Sequence, residues 1–70
     1  MSRVQELKEE IYASTLPPDY EVQLRIQETF AEITIASKNG ERELRDELAR
    51  DCAIYKNIYA DMDIREWVNL

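Results

Sequence analysis

The chain has 70 residues, of which 15 are acidic and 9 are basic, and its net charge is −6. It is long enough for one domain at most. Lipid headgroups and nucleic-acid phosphates would repel so acidic a chain, and no apolar run approaches the roughly 18 residues that span a bilayer. One glycine, two prolines and a charged fraction of 34% favour an all-α protein over a β protein.

The single cysteine, Cys52, limits how so short a chain can be stabilised. One cysteine forms no internal disulfide, and without histidine no structural zinc site is plausible. Small domains that lack both rely on regular helix packing or on oligomerisation. Because no run resembles a secretory signal, we also expect a reducing compartment, the cytoplasm.

The first predicted helix covers about residues 3–14. Ser2 followed three residues later by Gln5 is a capping-box pattern. Apolar residues then recur at spacings of three and four, at Val4, Leu7 and Ile11. Pro17 and Pro18 end the helix, because proline disfavours helical geometry in the residue before it.

The segment of about residues 20–38 can be read as a strand or as a helix. Its first part alternates apolar and polar residues, as a strand does. Its charges, however, recur at spacings that share one narrow stripe of a helix: Glu21, Arg25, Glu28 and Glu32. We therefore predict a second helix, and not a β-hairpin, with this stripe as its solvated edge. Asp19 is its predicted N-cap, and Asn39 with Gly40 its end.

Two apolar flanks remain on this second helix. One flank consists of Tyr20, Leu24, Ala31 and Ile35. The other flank consists of Val22, Ile26, Phe30 and Ile33. We predict that the Val22 flank mediates self-association in an isologous homodimer. Alternatively, the first helix covers this flank in a three-helix monomer.

The third predicted helix covers about residues 41–61. Its apolar residues recur at helical spacing: Leu44, Leu48, Cys52, Ile54, Tyr55, Ile58, Tyr59 and Met62. Asp63 with Glu66 is a second capping-type pattern, which predicts a separate short helical turn at about 64–69. Short connections favour antiparallel neighbours, so we predict a hairpin of the second and third helices with the first packed across it, in an oligomeric bundle.

The sequence offers little to a catalytic or metal site. Cys52 has no histidine to activate it, so we predict a buried, unreactive cysteine. Two acidic pairs lie one helical turn apart: Glu28 with Glu32, and Glu47 with Asp51. These pairs lack the histidine ligands of di-iron bundles, and Gly40 alone cannot form a phosphate-binding loop. We therefore predict no catalytic, cofactor-binding or metal-binding residue.

The Asn-Gly turn before the third helix invites a helix-turn-helix interpretation. That helix opens with four acids, at Glu41, Glu43, Asp46 and Glu47. Phosphate recognition relies on cations, so we do not predict nucleic-acid binding. The reverse hypothesis, an acidic surface that imitates nucleic acid, stays open.

Five residues are predicted to contact a partner protein: Glu47, Asp51, Tyr55, Tyr59 and Trp67. Asp51 lies inside the apolar arc of the third helix, where it either meets a partner arginine, is solvated, or pairs with Arg25 or Arg42. Tyrosine and tryptophan are typical interface anchors. Trp67 either folds back as a lid on the core or binds the partner.

We therefore expect a small acidic interaction module without enzymatic activity, which binds another protein as an inhibitor, adaptor or assembly factor. We also expect it to form a homo-oligomer. The competing expectation is a nucleic-acid-mimicking or small-ligand-binding protein with an aromatic-lined cleft at the oligomer interface. A salt titration of partner binding would separate them, since charge mimicry weakens steeply with salt.

Overall fold

A computed structural model describes the backbone of residues 2–69 and the side chains of residues 2–62. The described residues form three α-helices and no strand: α1 (Arg3–Ala13), α2 (Pro18–Lys38) and α3 (Arg42–Asn69). The predicted all-α class is therefore confirmed. The helix predicted from the charge stripe of the second segment is confirmed as well.

The start of α1 is capped by Ser2. The Ser2 side-chain oxygen accepts a hydrogen bond from the Gln5 backbone N–H at 3.2 Å, which satisfies one of the free donors of the first turn. The Gln5 side chain does not complete a capping box, because its amide donates to Glu9 at 3.3 Å. After α1, the Ser14 hydroxyl oxygen accepts from the Leu16 N–H at 3.2 Å and orders the connection to α2.

The start of α2 differs from the prediction. Asp19 is not the N-cap, because the helix begins at Pro18 with Pro17 as the cap residue. Proline suits the first helical position, where its missing N–H is not needed and its φ is already helical. Asp19 lies instead in the first turn with Glu21, where carboxylates interact favourably with the helix dipole.

The turn between α2 and α3 is a Schellman motif. The Glu41 N–H donates to the Ala36 carbonyl at 2.9 Å, and the Gly40 N–H donates to the Ser37 carbonyl at 3.2 Å. Gly40 has a φ of 73°, in the left-handed region that glycine enters without steric cost. The turn reverses the chain, so α3 runs antiparallel to α2 and packs closely against it.

The third helix is longer than predicted. It continues without interruption from Arg42 to Asn69, so the prediction of a separate turn at about 64–69 is wrong. The Asp63 and Glu66 pattern does not end the helix, because a capping side chain stabilises a helix start but does not break a helix. No glycine or proline follows Gly40 in the sequence, and these are the residues that interrupt helices.

The hydrophobic core lies where the three helices meet. Leu7 and Ile11 of α1 pack with Val22 of α2 and with Tyr55 and Ile58 of α3. Leu7, Ile11 and Val22 are completely buried. Partly buried apolar side chains surround this cluster: Ile26, Ile54, Tyr59 and Met62.

The first helix covers only one half of the α2–α3 hairpin. Its 11 residues give a length of about 16 Å, against about 31 Å for the 21 residues of α2. Its core contacts lie beside Val22 near the start of α2, far from the turn. Towards the turn, the described parts of α2 and α3 pack on each other without α1, and Ala36 is buried there.

Candidate interaction surfaces

Arg25 connects the three helices on one side of the hairpin. Its Nη1 donates to Glu10 of α1 at 2.9 Å and to the Tyr55 hydroxyl of α3 at 3.1 Å, and its Nε donates to Glu21 of α2 at 3.0 Å. Its guanidinium carbon lies 5.7 Å from the centre of the Tyr55 ring, within the range of a cation–π contact. Partial burial lowers the pKa of Arg25, but the hydrogen bonds to Glu10, Tyr55 and Glu21 together outweigh it and raise the pKa above its ordinary value.

The charge stripe of α2 is therefore only partly solvated, which corrects the sequence interpretation. The side chains of Glu21 and Arg25 are 14% and 24% exposed, because α1 and α3 pack against this end of the stripe. Glu28 and Glu32, nearer the turn, are exposed. The stripe thus marks the side on which α1 docks, and its far end lies beyond the reach of α1.

Asp51 forms an ion pair within the chain. Its carboxylate accepts from Arg3 Nη2 at 2.8 Å and from Arg3 Nε at 3.2 Å. The arginine comes from α1, and neither Arg25 nor Arg42, the predicted alternatives, supplies it. The hydrogen bonds to Asp51, and secondarily to Glu6, raise the pKa of Arg3. In this structure Arg3 takes the position in which sequence reasoning put a partner's arginine.

The predicted aromatic anchors contribute to the fold of the single chain. Tyr55 is 5% exposed and belongs to the core. Tyr59 is half-buried, and its hydroxyl accepts a hydrogen bond from the Gln23 amide at 3.2 Å. Glu47 is exposed beside Asp51. The Trp67 side chain lies outside the described residues, so its predicted role as lid or anchor stays a prediction.

The residues predicted for self-association divide into buried and exposed positions. Val22 is completely buried in the core and Ile26 packs against that core. Ile33 is half-buried, whereas Phe30 is 62% exposed. Helical spacing places Phe30 in one arc of α2 with the exposed residues Gln23, Gln27 and Thr34. We call these four residues the neutral face.

A second open surface lies between α2 and α3 near the turn. We call it the turn groove; it is lined by Glu32, Ile35, Ala36, Glu41, Leu44 and Leu48. Ile35 is 58% exposed and Leu44 is 44% exposed. Its lining is mainly apolar and contains two carboxylates but no cationic side chain.

Sequence reasoning missed the turn groove. Leu44 and Leu48 share the apolar stripe of α3 with the core residues Tyr55 and Ile58, so the pattern alone assigned them to the core. A signal was present in the lengths of the predicted helices. The first predicted helix is too short to cover the second along its whole length, which leaves the apolar stripe near the turn without a third helix.

Metal-binding clusters and membrane-spanning helices are absent from the described residues. Among the described residues, no group of three or more histidine, cysteine, aspartate or glutamate side chains is arranged to hold a metal ion. Within the same part of the chain, no helix is both long and apolar enough to cross a membrane. Cys52 is a free, buried thiol.

The chain matches no model of a known protein family, no curated protein and no solved structure. Within the described part of the chain, the neutral face and the turn groove are the surfaces that bear on its function.

Proposed function

We propose that this protein is a small interaction module that acts by binding another protein, as an inhibitor, adaptor or assembly factor, and that self-associates through the neutral face. Binding, and not catalysis, is its proposed activity. We propose the cytoplasm as its compartment, because Cys52 is held as a free thiol and reducing compartments preserve free thiols.

The observation that carries this proposal is the exposure of apolar side chains on the half of the hairpin that α1 does not cover. Phe30, Ile35 and Leu44 are 62%, 58% and 44% exposed. Exposed apolar side chains grouped on one part of a surface commonly mark protein interaction sites.

Charge decides which surface suits a second copy of the chain. Two chains of net charge −6 repel each other, so they associate most easily where few like charges are brought together. The neutral face carries only uncharged residues around Phe30. In an isologous dimer this face would pack against itself, with the two Phe30 side chains near the symmetry axis.

Oligomeric mass in solution tests the proposal. The wild-type protein should be a dimer or small oligomer by light scattering, and Phe30→Glu should shift it to the monomer, because two buried carboxylates would face each other. Tyr12→Glu is the matched control: Tyr12 is an aromatic residue of α1 with 54% exposure, and its replacement adds the same charge outside the neutral face.

Circular dichroism would establish that both variants remain helical. A monomeric wild-type protein over a wide concentration range would disprove self-association. An oligomer that persists in Phe30→Glu would show that another surface mediates it.

A further inference from the structure

We infer that the turn groove binds a positively charged amphipathic helix of another protein. This inference rests on the proposed function and names the class of partner. Three properties of the described residues support it: the position of the turn groove relative to α1, the apolar floor of the turn groove, and the charge of the edges of the turn groove.

The turn groove continues the line along which α1 docks. On α2, Glu28 and Glu32 follow Arg25 at spacings of three and four, so they lie on the side that faces α1. On α3, Leu44 and Glu47 precede Asp51 on the side that Arg3 contacts. A helix placed in the turn groove would therefore lie ahead of the N terminus of α1, against the same two helices.

The docking of α1 shows what kind of helix these two helices accept. Leu7 and Ile11, four residues apart, enter the core, and Arg3, four residues before Leu7, pairs with Asp51. The pattern is a basic residue and two apolar residues on one helical face. The turn groove offers matching features, since Ile35 and Leu44 are exposed apolar contacts and carboxylates lie beside them.

The edges of the turn groove are acidic. Glu32 and Glu41 line it, and Glu28 and Glu47 extend the edges along α2 and α3. These four carboxylates form no ion pair with any described side chain, although Arg42 and Arg45 border a neighbouring cavity together with Glu41, and Arg50 borders another together with Glu47. A partner helix with lysine or arginine beside its apolar face would supply the missing cations, and an acidic helix would be repelled.

The charge of α1 argues against a second copy of this chain as the occupant. α1 carries three acids and two bases, so an α1 exchanged from another copy would bring further acids to an acidic site. Its charged residues are Arg3, Glu6, Lys8, Glu9 and Glu10. A basic helix from a different protein fits the turn groove better.

Three synthetic peptides of about sixteen residues, roughly 24 Å long as helices, test the inference. The probe has leucines at spacings of three and four with lysines on either side of that face. One control replaces every lysine by glutamate, and the other keeps the composition but scrambles the leucine spacing. Binding to the full-length protein is measured by calorimetry at low and at moderate salt.

Only the basic amphipathic peptide should bind, and higher salt should weaken its binding. Leu44→Gln should raise the dissociation constant about tenfold, as expected for a central apolar contact, and Glu32→Gln about threefold. Asp46→Asn is the charge-matched control, because Asp46 is exposed on the opposite face of α3, beside Arg45. It should leave binding unchanged.

The inference is overturned if the basic probe does not bind, if the acidic or scrambled peptide binds as well, or if Leu44→Gln has no effect. It is also overturned if Leu44→Gln converts an oligomer to a monomer, since the turn groove would then be occupied by a second copy. Failure here leaves self-association standing if Phe30→Glu still yields a monomer. If Phe30→Glu leaves the oligomer intact as well, the proposed self-association through the neutral face fails with it.

Discussion

Arg3 and Asp51 lie 48 positions apart in the chain and form a two-point ion pair, with Nη2 and Nε of the arginine at 2.8 and 3.2 Å from the two carboxylate oxygens. The pair fixes the first turn of α1 against the middle of α3. It therefore lies at the boundary between the half of the hairpin that α1 covers and the half that contains the turn groove.

Arg3→Ala and Asp51→Ala should destabilise the protein to a similar, small extent, and the double variant should be little worse than either. The effect is small because Arg3 is half-exposed and exposed ion pairs contribute little. Thermal melts of the three variants at low and high salt would measure the coupling, which should fall as salt rises. Independent, additive losses would contradict the pairing.

Alkaline pH should not remove this pair until the arginine itself titrates. The pKa of Arg3 is raised in the folded state, so its contribution is present below the unfolded pKa and is lost only as pH rises through the folded pKa. Melting temperatures of wild type and Arg3→Ala should therefore differ by a constant amount between about pH 7 and pH 10. A wild-type protein that melts no higher than Arg3→Ala in this range would contradict a raised folded-state pKa of Arg3.

Arg25→Ala should cost roughly 1–3 kcal/mol of unfolding free energy, because it leaves a part-buried Glu21 and the Tyr55 hydroxyl without their donor. Urea denaturation would measure this loss. Arg50→Ala removes the same charge from an exposed position of α3 and should change stability by less than about 0.5 kcal/mol. Equal effects of the two substitutions would show that Arg25 acts through net charge alone.

Leu7→Ala should cost about 2–5 kcal/mol, since it creates a cavity among completely buried side chains. A chain of this length has a total stability of only roughly 4–10 kcal/mol, so this variant should melt at a much lower temperature. Val4→Ala is the control on the same helix, because Val4 is 42% exposed. If both substitutions were equally mild, α1 would not be docked in solution as described.

Gly40→Ala should destabilise the protein by about 1 kcal/mol, because φ at this position is 73° and a side chain disfavours the left-handed region. A Cβ atom at Gly40 would meet no other part of the protein within 4 Å, so the cost comes from the local backbone conformation and not from a clash with packed neighbours. Gly40→Asn should cost less, since asparagine tolerates this region better than alanine does. Chemical denaturation of both variants would give their order, and the reverse order would contradict this account.

Local chemistry made most of the fold predictable from the sequence. Ser2 marks the start of α1 and Gly40 the end of α2, and both helix ends depend only on neighbouring backbone groups. The charge spacing in α2 follows from helical geometry. The same patterns misplaced the start of α2 and a break in α3, because Asp19 and Asp63 are compatible with both a cap and a helical interior. The backbone conformation decides between a cap and a helical interior. At Asp19 this conformation depends on Pro18, which begins the helix. At Asp63 it depends on a run of helix-forming residues that nothing interrupts.

The candidate surfaces were less predictable, because contact between distant helices is not encoded by periodicity within one of them. The acid at position 51 was recognised as anomalous, but its partner is Arg3, which no local pattern links to it. Phe30 and Val22 share one predicted flank, yet one is open and the other is buried. That difference arises from their positions around α2: at eight residues apart they lie about 80° apart on the helix, and Phe30 shares the outer arc with the exposed Gln23 and Gln27.

Cys52 supplies an intrinsic kinetic probe of this architecture. It is the one cysteine of the sequence and is 4% exposed in α3. A thiol-reactive dye can modify it only when the helices around it separate. The labelling rate under native conditions therefore reports how often the hairpin opens transiently. Slower labelling in the presence of a binding peptide would register occupancy of the neighbouring surface without any engineered reporter.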